Sequence, residues 1–440
     1  MNPRVKLLLV VVCLALSGIA SAASVSVNCN NPKPGTFPSI TAALASLIPA
    51  GPNVITVQGT CKENVFIGYF QNVTIQSAAG HTAVIENASN PAGIVLQAFG
   101  CRGLFLLNLV IQGGGNGLLV NQASEVVVEG LVVQNNSSDG ATAQVGSTLG
   151  VESSKFINNG GNGLTVASMS NATLATLPGE TILFSGNAGN GIDVDASSLQ
   201  VNFGSVRADH NAGAGMSASN GQLLIFGGST STGGNVFFDN GEGIDLFDTS
   251  SARFFGTNLI QNNGEVGLQV VSGSSAHFFG QLLPDGTVSA TTIQGHTGPG
   301  VNVVRSSTAT FDGPAVIRRN GSTGDELRSG IRVRNSTVTM DSGATVEGNT
   351  GPGILADEGS TLNVLAGTAI RQNTEDGVNM TIQSNGDFIQ PISIVGNGGA
   401  SIACDTTSVA FGDFTGIKNV DCSQLPPRAS SQKKSRVVRN

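Results

Sequence analysis

Asp193 and Asp195 lie two residues apart in the segment IDVD, Asp245 holds the matching place in IDLF, and Asp239, Glu242 and Asp248 lie close by. Such carboxylates suit Ca²⁺, which takes six to eight oxygen ligands. They also suit the acid and base of a glycosidase, which stand about 5 to 9.5 Å apart. The plainer account is a row of solvated acids on an acidic surface. A second group is basic: Arg318, Arg319, Arg328, Arg332 and Arg334 fall within seventeen residues, a density that suits bidentate contacts to the carboxylates or sulfates of a glycan. Against that stands Asp357, in phase with Arg334 one repeat later and placed to pair with it. Asp209 and His210 adjoin, a pairing that invites general acid/base work, but neighbours on a strand point to opposite faces, so the pair need not touch. Four histidines and scattered cysteines supply no zinc or copper spacing.

What must position these residues is a repeat. A glycine-rich turn followed by an apolar residue returns at Leu118, Ala141, Leu164, Ile192, Met216, Ile244, Leu268, Val301, Ile331, Ile354, Val378 and Ile402, most often at intervals of 23 or 24. Such a period marks a solenoid, one coil per repeat, with the longer intervals holding loops. After each turn the residues alternate, as in Ile192, Asp193, Val194, Asp195, which describes a strand with one buried face. Five residues before the apolar one stands Asn136, Asn159, Asn187, Asn211, Asn263, Asn349, Asn373 or Asn397, with His296 in that place in one coil. An amide recurring at one phase stacks about 4.8 Å above its neighbour and satisfies the backbone of a buried turn. Phe226, Phe254, Phe278 and Phe311 share one later phase and Phe203, Phe255 and Phe279 the next, predicting stacked aromatics.

The composition agrees: 60 Gly, no Trp, one Tyr and 11% charged residues favour turns and short strands. Residues 1–23 carry Arg4 and Lys6, an apolar run and then small residues, the pattern of a secretory signal peptide cleaved after Ala22 or Ala23. No later run approaches the eighteen apolar residues of a membrane span, and no membrane insertion is expected. The net charge is −8; setting aside the basic tail and the signal leaves 14 basic residues against 29 acidic ones, a body ill suited to nucleic acid. Cysteines cluster at the two ends, which predicts the staples Cys29 with Cys61 and Cys404 with Cys422 in an oxidising compartment. Cys101 is left over, and it could replace one of the first pair.

Residues 24–53 read as an N-terminal cap, in which Ser39 starts a short helix carrying Ile40, Ala43, Leu44 and Leu47 on one face. Residues 54–403 read as coils, 404–425 as a disulfide-closed cap and 426–440 as a disordered basic tail.

The run from FPSITAALASLIPAGPNVITVQGTCKENVFIGYFQNVTIQS, with the later N-x-G-x-G-I coils, resembles right-handed parallel β-helix proteins of the pectate lyase and pectin esterase type and NosD-like periplasmic repeats. The resemblance covers nearly all of residues 36–403 and implies an all-β, single-stranded right-handed parallel β-helix with a short N-terminal capping helix. It is specific for fold and poor for function, because this scaffold carries many activities. Polygalacturonase-type Asp-Asp and Gly-His-Gly signatures are absent, and Asp387 begins only DFIQ where a pectin esterase has DFIFG. The expectation is a monomeric protein, periplasmic or secreted, that binds a polysaccharide or a cell-surface protein along its outer face. The alternative is a lyase or glycoside hydrolase on an acidic glycan. Its catalytic candidates would be Asp193, Asp195, Asp245, Arg332 and Arg334, the three aspartates doubling as the Ca²⁺ candidates; no other cofactor is expected.

Overall fold

The computed structural model describes residues 23–89, 92–176, 179–202, 205–227, 234–283, 285–322, 328–341 and 343–425. Of the expected signal segment, residues 1–22 lie outside that set, as does the basic tail 426–440. The described strands form three parallel sheets of 17, 15 and 14 strands, and successive strands visit the three sheets in turn. One coil, for example, runs through Ser198–Asn202 in the first sheet, Ser205–Asp209 in the second and Ala214–Ser219 in the third. About fourteen such turns stack into a solenoid.

The alternating pattern explains each sheet. Ile192 and Val194 point inward and are fully buried, whereas Asp193 and Asp195 point outward between and after them. Stacking repeats this in every coil, so the core is a set of apolar columns. In the first sheet Phe254, Phe278 and Phe311 form one of them, with ring centroids 4.5 and 5.1 Å apart. Phe226 does not join that column: it stacks outward on Phe255, and Phe255 on Phe279. The turn before Phe226 is one residue shorter than its neighbours, with Gly221 at the corner, which shifts the phase. Phe203 lies outside the described residues.

The corner between the second and third sheets carries the amide ladder, and it is longer than the spacing predicted. Asn240 and Asn320 complete the run from Asn136 to Asn397. They fall out of phase because Asn240 stands four residues before Ile244, and an insertion separates Asn320 from Ile331. On each Asn-to-Asn rung the side-chain oxygen accepts from the backbone N–H and the Nδ2 of the preceding rung, as Asn211 accepts from Asn187 at 3.1 and 2.9 Å. The second Nδ2 proton goes to a carbonyl of the coil below, as from Asn211 to Phe184 at 3.1 Å. The residue before each rung takes a left-handed conformation, including Asn158 at φ 55° and Gln372 at φ 57°. A stacked glycine then lets the turn pass: a Cβ on Gly191 would lie 2.6 Å from the Gly215 carbonyl oxygen.

At one rung His296 replaces the amide. Its Nδ1 accepts from the Asn263 N–H at 3.2 Å, and its Nε2 lies 3.2 Å from the Ile260 carbonyl oxygen. Only the neutral Nε2–H tautomer makes both bonds.

The third corner holds a second ladder, of serines, that the sequence reading missed. The N–H groups of Ser124, Ser147 and Ser170 donate to the hydroxyls of Ser147, Ser170 and Ser197 at 3.1 to 3.2 Å, and Ser360, Ser384 and Ser408 repeat the arrangement. Cys101 belongs to this column: its N–H donates to Ser124 Oγ, and its buried free thiol donates to the Ile67 carbonyl at 3.1 Å.

A helix covers the N-terminal end, and each end carries a disulfide. The helix Ile40–Ala45 buries Ile40, Ala43 and Leu44 over the first coil, with Ser39 Oγ accepting from the Ala42 N–H. The Glu63 carboxylate accepts from the N–H groups of Ile40 and Thr41 at 2.7 and 2.9 Å. The strand Ala23–Asn28, within the segment expected only to cap, already pairs with Asn53–Gln58. Disulfides join Cys29 to Cys61 and Cys404 to Cys422. No described helix is long and apolar enough to cross a membrane.

Replacing Asn211 by Leu leaves the Asn187 amide and a buried turn unpartnered, and should cost roughly 1 to 3 kcal/mol in urea unfolding. Burial lowers His296 from its ordinary 6.5 to about 4. The unfolded chain therefore binds the proton first, and stability should fall by about 3 kcal/mol as pH drops from 6.5 to 4. His296→Asn should abolish this acid sensitivity; denaturation midpoints at pH 7 and pH 4 measure the difference.

Candidate functional site

Since the inward columns and two corners are occupied by packing and ladders, chemistry is confined to outward rows. Two groups from the sequence reading separate on this test. The five arginines do not cluster. Arg318 lies on the second sheet and donates to Gln294 Oε1 at 2.8 Å, Arg328 pairs with Glu375 at 2.9 Å, and Arg319 occupies the left-handed position before Asn320. Arg332 and Arg334 lie on the third sheet. Arg334 is in register with Asp357 at 4.0 Å and bonds Glu358, so this charge is engaged within the scaffold.

Asp209 and His210 do touch, with Nδ1 3.1 Å from Oδ1. The strand ends at Asp209, and His210 takes φ 54°, which swings its ring back. Arg207 bonds the other Asp209 oxygen and lies over the Phe238 ring, so these groups form a surface network that holds Asp209 below its ordinary value despite burial, through bonds from Ser185, Arg207 and His210. His277 stacks on Phe279 and bonds Asp312 at 2.5 Å.

What remains is the outer face of the third sheet. Its first outward row runs Phe66, Gln97, Leu119, Thr142, Thr165, Asp193, Ser217, Asp245, Gln269, Asn302, Arg332, each in register with the next. Hydrogen bonds link much of it. Thr142 and Thr165 both donate to Asp139 Oδ2, Asn190 donates to Asp193, Asn302 donates to Gln269 at 2.6 Å, and Arg332 donates to Asn302. Beside the row runs a staircase in which the N–H groups of Asn162, Asn190 and Ala214 donate to the side chains of Asp139, Asn162 and Asn190.

Asp193 and Asp245 share the row but are separated by Ser217, which sets them about 10 Å apart. Asp195 lies in the other outward row. The three carboxylates therefore do not converge on one ion. Among the described residues, the single group of three close candidate ligand atoms is Cys29, Cys61 and Glu63, whose sulfurs are joined to each other.

The closer acidic grouping is Asp245 with Glu242 and Glu265. Burial, with the charges of Asp245 and Glu265 and a hydrogen bond from Glu265, raises Glu242 to about 7, and burial raises Asp245 to about 6. Burial also raises Asp193. Near neutral pH Glu242 therefore carries its proton part of the time, and then has a hydrogen to donate beside Glu265. At the other end of the face, Tyr69, Phe66 and Phe99 form a cluster with centroids 5.5 and 6.0 Å apart, and Tyr69 and Phe66 are 67% and 57% exposed. The sequence reading passed over this cluster and Glu265: they are near only because residues 23 to 33 apart lie on adjacent coils.

Glu242 is higher in the fold than in the unfolded chain, so the fold holds the extra proton between about pH 4.5 and 7 and loses stability as pH rises through that window. Glu242→Gln should therefore raise the melting temperature at pH 8, by an effect on the order of 1 to 3 kcal/mol, and leave it unchanged at pH 4. Calorimetry at the two pH values decides the matter.

Residues 54–230 match the family model for a right handed beta helix region. No curated protein matches. Among solved structures, the A-module of the Azotobacter vinelandii mannuronan C-5 epimerase AlgE4 is similar at 14% identity and a TM-score of 0.43, over 85% of this chain and 94% of that one. The catalytic unit of an α-1,3-glucanase from Streptomyces thermodiastaticus has 14% identity and a TM-score of 0.35, over 94% and 70%. The Streptococcus pneumoniae surface adhesin PfbA has 12% identity and a TM-score of 0.24, over 83% and 86%. Three parallel sheets stacked coil on coil give the chain a right-handed parallel β-helix fold, and residues 54–230 of it match that family model.

Proposed function

We propose that this is an exported β-helix that binds a neutral polysaccharide along the outer face of the third sheet. The observation that carries the reading is the continuous outward row, which starts at the exposed Phe66 and Tyr69 rings packed against the half-buried Phe99 and continues into hydrogen-bonding Thr, Asp, Ser, Gln and Asn side chains. Aromatic faces take the apolar side of a pyranose ring, and fixed donors and acceptors take its hydroxyls. A polymer meets equivalent groups at each 4.8 Å step. The acids of this face repel a polyanion, and Arg334 is already engaged by Glu358 and Asp357, which supports a neutral glycan. Two disulfides suit an oxidising compartment. Cleavage after Ala22 would leave the strand Ala23–Asn28 whole.

The test is titration calorimetry of the purified protein against soluble neutral glycans and uronates, with product analysis in parallel. Tyr69→Ala with Phe99→Ala should weaken binding of a neutral glycan about tenfold, equivalent to about 1.4 kcal/mol, without lowering the melting temperature by more than a few degrees. Binding indifferent to both rings would sink the proposal. New reducing ends, or unsaturated products absorbing at 235 nm, would replace a binder with an enzyme.

A further inference from the structure

The asparagine ladder runs one way, and it ends in donors. A complete rung, such as Asn349, directs three hydrogens at the following coil. Its own N–H and one Nδ2 proton go to Asn373 Oδ1 at 3.1 and 2.9 Å, and the N–H of the preceding Gly348 goes to the Arg371 carbonyl at 3.2 Å. Asn373 makes the first two bonds to Asn397 Oδ1 in the same way. Asn397 is the last rung. One of its Nδ2 protons turns back to the Ile370 carbonyl at 3.2 Å, as on the rungs below. Among the described residues nothing accepts from its N–H, from its other Nδ2 proton or from the Gly396 N–H.

Where the next coil would stack, the chain changes course. The second sheet has its last described strand at Ser393–Val395, and residues 413–419 arch past it to reach Val420–Asp421 in the third sheet. The arch is held by the Ser401 N–H and the Gln390 Nε2, which donate to the Asn419 and Asp413 carbonyls. Between arch and ladder lies a cleft of about 540 Å³, with Gly396 and Asn397 on one wall and Gly416, Lys418 and Asn419 on the other. Lys418 is exposed, and among the described residues its ammonium forms no ion pair.

We propose that this cleft binds a carboxylate, which receives the hydrogens that a further asparagine rung would receive. One oxygen stands in the place of the next Oδ1 and accepts from the N–H and Nδ2 of Asn397. The other stands in the place of the next strand carbonyl and accepts from the Gly396 N–H. Gly396 sits at φ 67°, and successive N–H groups at a left-handed turn converge on an anion. Lys418 brings the positive charge that strengthens such bonds. A halide offers a single centre to donors that interior rungs match with two separate oxygens, so the arrangement favours a planar carboxylate. The site lies at the C-terminal end of the ladder and is independent of the glycan reading of the third sheet.

Titration of the isotope-labelled full chain with N-acetylvaline and with glucuronate at constant ionic strength, followed by TROSY NMR, tests this. The amides of Gly396 and Asn397 and the Asn397 side-chain NH2 should move together along one saturable curve, with a Kd on the order of 1 mM. N-acetylvalinamide, which keeps the body and loses the charge, should leave them in place. The tighter of the two acids tells a peptide C-terminus from a sugar acid as the source. Lys418→Gln, on the exposed arch, should weaken binding about tenfold and leave the melting temperature unchanged. No saturable shift with either acid overturns the proposal. So does an equal response to chloride or to the amide, or binding that Lys418→Gln leaves intact.

Discussion

Each coil lies 4.8 Å from the next, and that single spacing governs the molecule. A chain that turns three corners per coil buries backbone groups that no strand can satisfy, and it does so about fourteen times. An asparagine amide resolves one corner, because its oxygen takes two protons from the rung behind while its nitrogen serves the rung ahead and the coil below. The solution works only if every coil repeats it in register. Left-handed residues before each rung, the stacked glycines after it and the apolar columns inside all follow from holding that register.

The repeat made the fold legible because periodicity needs no knowledge of the third dimension. Counting residues from one landmark finds Asn211 and Asn373, but it loses Asn240, whose turn is shorter, and Asn320, whose turn carries an insertion. Phe226, counted in phase with Phe254, pairs instead with Phe255 for the same reason. A phase measured across a turn of variable length slips by one, and a slip of one moves a strand residue to the opposite face. The serine column was present in the sequence about six residues after each landmark, yet serine is common in turns and its recurrence carries little weight alone.

The candidate site was less legible than the scaffold. Asp193 and Asp245 could be placed on one row, since a strand row follows from phase. That row also fixed their distance, which separates them and removes the shared calcium site. Glu242 meeting Glu265 depends on how two turns on adjacent coils approach, and turns are where phase is lost. The Phe66, Tyr69 and Phe99 cluster joins residues on two early coils, before the glycine landmark settles into its repeat. Arg332 and Arg334 lie on the third sheet, but an arginine count along the sequence says nothing of the partners each finds on the coil above or below.

The outer acids oppose the logic of the rest. The asparagine and serine ladders satisfy their neighbours, whereas Asp245, Glu242 and Asp193 are raised by burial and Glu242 also by the charges of Asp245 and Glu265. A neutral side chain would hold those positions without that cost. Raised to about 7, Glu242 keeps its proton part of the time near neutral pH and can then donate beside Glu265. Stability accounts for the ladders, and it does not account for this pair. The ladders make such a pair tolerable, because a rigid, repeating support keeps the two carboxyls from relaxing apart into solvent.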